Sequence, residues 1–157
     1  MNGAALTTAL LLTHIGALLY GGGFAIASDR LTRDAVKSTD AGVRSSHLAA
    51  LARVHPIVTR ALWASLASGG VLFALHVERY VTSGVFWAKM ALLVALVVTG
   101  LAMRVAERDV REAAADESCE AVERIWRRLH GTAVASTTLW TLVAVAGVLL
   151  ESARAGR

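Results

Sequence analysis

Four of the five histidines, His14, His55, His76 and His130, fall within or at the ends of long apolar runs, and Lys89 lies inside another such run. Ionisable groups at membrane depth are expensive and turn toward a bundle interior or a water-filled cavity, so each is a candidate for chemistry. A neutral imidazole can ligate a haem iron through one ring nitrogen, and it can give or take a proton near neutral pH. His47 lies between runs and reads as an ordinary polar side chain.

The elements that must position these groups are four apolar runs, about 4–27, 56–75, 85–103 and 132–150. Each is close to the ~20 residues a helix needs to cross about 30 Å of hydrocarbon. In that layer every backbone amide must be satisfied within its own segment, which selects helices. The twelve acidic residues all lie outside the runs, and only Arg60 and Lys89 put a permanent cation within one. With 55% hydrophobic residues and a mean hydropathy of +0.55, the chain reads as a single-domain, all-α integral membrane four-helix bundle.

The net charge of +4 does not point to nucleic acid, because the basic residues flank apolar runs and form no stripe with interleaved aromatics. They set topology instead. Arg30, Arg33, Lys37, Arg44 and Arg53 occupy the first connection, and Arg104, Arg108, Arg111, Arg124, Arg127 and Arg128 the third, against Arg79 alone in the second. The positive-inside rule then puts connections one and three in the cytoplasm and both termini outside, in the inner membrane of a bacterium. Ala25-Ile26-Ala27-Ser28 offers small residues for signal cleavage, but no Lys or Arg precedes residue 30, so the first helix is expected to be retained.

Residues 104–130 are expected to be a solvated helical extension, since Glu107/Arg111, Arg108/Glu112, Glu120/Arg124 and Glu123/Arg127 are opposite charges four apart. Pro56 is expected in a first helical turn. Ala61, Ser65 and Gly69, and likewise Gly131 and Ala135, recur every fourth residue as packing stripes. Gly21-Gly22-Gly23 has no strand before it and no lysine after it, so it is no phosphate loop; the glycines would let a flat macrocycle or another helix approach closely, helix packing being the commoner use. Trp87 and Trp126 read as interfacial anchors, whereas Trp63 and Trp140 sit deeper and either line a cofactor or, the commoner role, fill the bundle.

Height decides which imidazoles can share a ligand. His55 and His130 stand at the arginine-rich ends of their helices, at one level, and could sandwich a haem iron. His14 lies roughly 10 Å deeper than His76 at 1.5 Å per residue, so that pair needs tilt or shifted boundaries. His55 and His76, roughly 31 Å apart along one helix, cannot share an iron. Lys89 either snorkels to the surface or acts beside His14, and Arg60 snorkels. With one cysteine, Cys119, there is no CxxCH attachment, so any haem is held non-covalently.

With these residues placed, the chain resembles the four-helix membrane superfamily of HemJ-type protoporphyrinogen oxidases and CopD-like copper-resistance domains. The resemblance spans most of the chain and is carried by His14, Tyr20-Gly21-Gly22-Gly23-Phe24 and Arg30 around helix one, Arg53 through Pro56 to Gly69-Gly70 along helix two, and Trp87-Ala88-Lys89 with Arg104 on helix three. It departs at Gly100-Leu101, where HemJ-like proteins carry a further histidine, and at Arg127-Arg128-Leu129-His130, where they carry Asn-Glu-x-Pro.

The resemblance implies a haem- or porphyrin-associated bundle. The expected function is a b-type cytochrome carrying haem b on ligands drawn from His14, His55, His76 and His130, passing electrons to or from quinone or a partner protein. The alternatives are a protoporphyrinogen oxidase using His14 and Lys89, a CopD-like copper-handling protein, and a non-catalytic subunit. Association as a homo-oligomer or within a larger membrane complex is expected. Copper finds few of the soft ligands it prefers, one cysteine and three methionines.

Overall fold

A computed structural model describes residues 3–115 and 119–155. The elements are α1 (Gly3–Lys37), α2 (Ala41–Leu75), α3 (Val77–Val81), α4 (Gly84–Ala115) and α5 (Cys119–Ala155), with no strand among the described residues. The four long helices each carry a segment long and apolar enough to cross a membrane. The chain is therefore a multi-pass, all-α membrane bundle, and an even number of crossings returns both ends to one side.

The helices run well past the apolar runs. At 35 residues each, α1 and α2 extend about 52 Å, against about 30 Å of hydrocarbon. The expected first loop shrinks to Ser38-Thr39-Asp40, and its arginines and His47 lie on helix instead. Nothing in residues 28–37 breaks α1, and Asp29 and Arg33 pair across one turn at 2.7 Å. Asp40 then caps α2, its carboxylate accepting from the Gly42 and Val43 amides. Pro56 sits inside α2 rather than in a first turn, and has no N–H to give the Ala52 carbonyl.

The extensions are not a solvated arm. Ala35, Leu51, Val110, Trp126 and Leu129 form a core at the arginine-rich end. Trp126, expected as an anchor, is only 1% exposed within it. Among the expected ion pairs, Arg108–Glu112 forms at 2.7 Å and Glu123–Arg127 at 3.8 Å. Glu107 turns away from Arg111 toward His55. The Glu120/Arg124 pair involves a side chain outside those described.

Around the bundle the order is α2, α1, α5, α4, because α1 packs along α2 and α5, and α5 along α4, whereas α2 and α4 scarcely approach one another. One side is thus a seam. At the opposite end Phe73 stacks on Phe86 at 5.1 Å, with Tyr80 against both, and this cluster ties the end of α2 to the start of α4. The Trp87 indole donates to the Val81 carbonyl and stays exposed, as an anchor does.

The small-residue stripe of α2 works as expected, but that of α5 does not. Gly131 and Ala135 face outward, while Ala133, Ser136, Trp140 and Val143 face the interior. Of the three glycines, Gly21 alone is in tight contact: a Cβ there would lie 2.6 Å from the Trp140 ring and 3.0 Å from Ala61. Trp140 fills the bundle, whereas Trp63 is 66% exposed and fills nothing.

Candidate functional site

All four spans converge on one polar point. His14 of α1 reaches α2, where its Nδ1 lies 2.9 Å from the Ser65 carbonyl oxygen and 3.3 Å from the Ser65 and Ser68 hydroxyls. On its other side Nε2 lies 3.3 Å from Nζ of Lys89 on α4. A Cβ at Gly69 would stand 3.0 Å from the imidazole, and one at Gly147 of α5 would stand 3.5 Å from the lysine nitrogen. Glycine at 69 leaves room for the imidazole, whereas a Cβ at 147 would only touch the amine.

The partners assign the tautomer. A carbonyl only accepts, so Nδ1 carries the hydrogen and donates to Ser65, leaving the Nε2 lone pair to accept from Lys89. The Ser68 hydroxyl is occupied with the Ala64 carbonyl at 2.7 Å, which fixes the polar floor beneath the ring. Lys89 is 8% exposed and so does not snorkel. No carboxylate lies within ion-pair distance of it among the described residues. Phe86, buried one turn before Lys89 on the same face, sets the depth at which α4 presents the amine.

His55 occupies a second site on the seam. Its Nδ1 lies 2.7 Å from Glu107 Oε1, both side chains being largely buried. The contact lacks the geometry of a hydrogen bond, and both atoms are buried without another partner among the described residues. His55 lines a cleft of about 140 Å³ whose walls include Leu62, Leu66, Leu96 and Trp140, with Ser28 and Ser136 as polar points. The Ser28 hydroxyl and the Trp140 indole nitrogen are buried there without hydrogen-bond partners.

His130 belongs to a third group, between α1 and α5. Its Nδ1 lies 3.3 Å from the Thr32 hydroxyl and 3.6 Å from Asp29 Oδ1. Thr32 spends its own hydrogen on the Asp29 carbonyl, so its oxygen accepts from His130. His76 ends α2 with Nδ1 3.3 Å from its own Leu72 carbonyl. It lies seven residues beyond Gly69, roughly 10 Å along the axis from the level of His14.

The structure therefore brings His14 and Lys89 together and gives each remaining imidazole a separate partner. His55 faces Glu107 and His130 faces Asp29, and neither described cleft is lined by both rings. At His14, His76 and His130 Nδ1 lies within hydrogen-bond reach of an oxygen acceptor, the orientation in which a ligating histidine presents Nε2 to a metal, whereas at His55 the Glu107 contact is close without being such a bond. At His14 that Nε2 is taken by Lys89; at His55 it is not.

A haem on His55 fits in donor chemistry but not yet in space. Drug-sized ligand pockets span about 300–1,000 Å³, so a macrocycle would need α2 and α4 drawn apart along the seam. No group of three or more His, Cys, Asp or Glu side chains that could hold a metal ion occurs among the described residues. The copper reading thus gains no donor set.

Sequence reasoning missed Ser65 and Ser68 as partners of His14, and Asp29 and Glu107 as partners of His130 and His55. The α2 stripe placed Ser65 and Gly69 on a packing face, and that was the available signal. No family model, curated protein or solved structure matches the chain.

Proposed function

We propose that the protein is a tetrapyrrole-associated oxidoreductase of the membrane, in which His14 and Lys89 handle the protons released as a reduced ring is oxidised. The observation that carries this reading is the convergence of all four spans on a lysine and an imidazole with no carboxylate beside them among the described residues. A desolvated cation in hydrocarbon costs about 2.5–3.5 kcal/mol at a helix centre. Such a cost is retained where the group serves a function.

In this reading Lys89 passes the hydrogen it donates to His14 Nε2, the Ser65 carbonyl holding Nδ1–H and stabilising the imidazolium that forms, and the neutral amine left at Nζ takes the proton released by the ring. The pair keeps one positive charge throughout, suited to a carboxylate substituent of the ring. A haem b on His55 would supply a one-electron acceptor when bound, oriented through Glu107, with quinone as the onward carrier. The arginine-rich end faces the cytoplasm of a bacterium by the distribution of basic residues.

A second reading, an electron-carrying b-type cytochrome without chemistry at His14, is favoured by His55 alone, which lines the apolar cleft and has no Nε2 partner among the described residues. One preparation separates the two. The detergent-purified protein is expected to show reduced-minus-oxidised bands of b haem that disappear in His55→Ala, and to oxidise a porphyrinogen at a rate reduced at least about 100-fold in His14→Ala. Haem bands with no turnover leave the electron carrier; a featureless spectrum with no turnover removes both.

A further inference from the structure

We propose that the arginine-rich end of the seam between α2 and α4 is a binding site for one anionic phospholipid, its phosphate on Arg60, Arg104 and Arg111 and an acyl chain in the adjoining apolar cleft. This goes beyond the redox reading and competes with its haem, since an acyl chain and a macrocycle on His55 would fill the same cleft.

The three guanidiniums line one open concavity of about 460 Å³ together with His55, Thr59 and Glu107. None has a carboxylate partner among the described residues. Arg104 donates only to the Thr59 hydroxyl, at 2.9 Å. Glu107, four residues from Arg111 and expected to pair with it, is committed to His55 at 2.7 Å. The concavity thus holds three cations and one carboxylate already engaged, and it presents a surplus of positive charge.

Position identifies the anion. Arg60 lies one turn inside the apolar run of α2, and Arg104 directly follows that of α4, so both stand where hydrocarbon gives way to headgroups. An exposed guanidinium at that depth, without a protein counter-charge, is best neutralised by a phosphate, whose oxygens match its paired donors. The apolar cleft shares His55, Thr59 and Arg104 with the concavity and continues into the membrane past Leu62, Leu66 and Leu101. A phospholipid has this two-part form, and basic pockets between spanning helices on the cytoplasmic side bind such headgroups. A free phosphate would use the arginines and leave the cleft without a role.

The test is native mass spectrometry of the intact protein released from bilayers of phosphatidylglycerol and phosphatidylcholine in equal amounts. One phosphatidylglycerol is expected to remain bound. Each Arg→Gln substitution at 60, 104 or 111 is expected to weaken retention about fivefold, and the triple variant should retain none. Lysine at all three positions should restore binding in part, and Arg108→Gln, on the exposed side of α4, should leave it unchanged. Equal retention of the neutral lipid, retention by a folded triple glutamine variant, or displacement by millimolar inorganic phosphate overturns the proposal. So does finding a tetrapyrrole, whose carboxylates would occupy the same arginines, in place of the lipid.

Discussion

Replacing Lys89 by methionine is expected to make the protein more stable while removing its activity. The lysine side chain is enclosed by the bundle, its amine meets an imidazole in place of a carboxylate, and methionine is an unbranched apolar chain of similar length. Relief of the buried charge is worth up to about 2.5–3.5 kcal/mol. Loss of the hydrogen bond to His14 returns about 0.5–1.5 kcal/mol of that gain. The net expectation is a gain of roughly 1–2 kcal/mol in detergent unfolding, with a loss of at least about 100-fold in porphyrinogen oxidation. His14→Ala should lower activity similarly but destabilise, because Lys89 then has no partner. If Lys89→Met instead weakens the fold and spares turnover, the pair is structural and the catalytic reading fails.

The second large effect is purely steric and discriminates among adjacent residues of one type. Gly21→Ala is expected to cost about 1–3 kcal/mol, the usual range for overpacking a well-filled core. The new methyl would meet the Trp140 ring at 2.6 Å and Ala61 at 3.0 Å, and neither can withdraw: Trp140 is 3% exposed and Ala61 belongs to the opposing helix. Gly23→Ala meets nothing within 4 Å, and should stabilise by roughly 0.5–1 kcal/mol through helix propensity. Trimming the partner in Gly21→Ala/Trp140→Leu should recover part of the loss. Thermal unfolding of the four proteins in one detergent checks the ordering, and equal effects at Gly21 and Gly23 would contradict the packing described.

The spans were legible because hydrocarbon thickness and backbone satisfaction leave a sequence little freedom, and Asp, Glu and Arg mark where the apolar runs stop. The same charges concealed the helix ends. Between Asp29 and Arg53 the sequence has the polarity of a loop, yet alternating opposite charges and a single Asp40 cap are equally compatible with two helices meeting at a three-residue link. Trp126 was misread for a related reason: an aromatic near a membrane boundary is an anchor only if the helix has no further partners, and here it had three.

At the site, residue type was readable and pairing was not. His14 and Lys89 stood out as ionisable groups within apolar runs, but their meeting depends on α1 and α4 standing diagonally across the bundle and on the reach of a four-carbon side chain, neither of which follows from spacing. The His55/His130 pairing at one height overlooked the carboxylates. Asp29 and Glu107 lie just beyond the apolar runs and were counted as solvated charges, whereas the extended helices bury them beside the imidazoles. Pattern along a single helix could not reveal a contact between helices.

The arginine-rich end of the bundle, with Leu51, Trp126 and Leu129 at its centre, lies past the apolar runs on helices of about 52 Å, longer than the roughly 30 Å of hydrocarbon, and so meets water. Its cohesion comes from the hydrophobic effect, which weakens on cooling and in urea. The spans have no such drive between them and are held by close van der Waals contact and internal hydrogen bonds. One continuous set of helices is thus governed by two different solvents. Loosening that begins at the wet end would travel down α2 and α4 to His55 first, leaving the deeper lysine–imidazole contact as the last part of the architecture to yield.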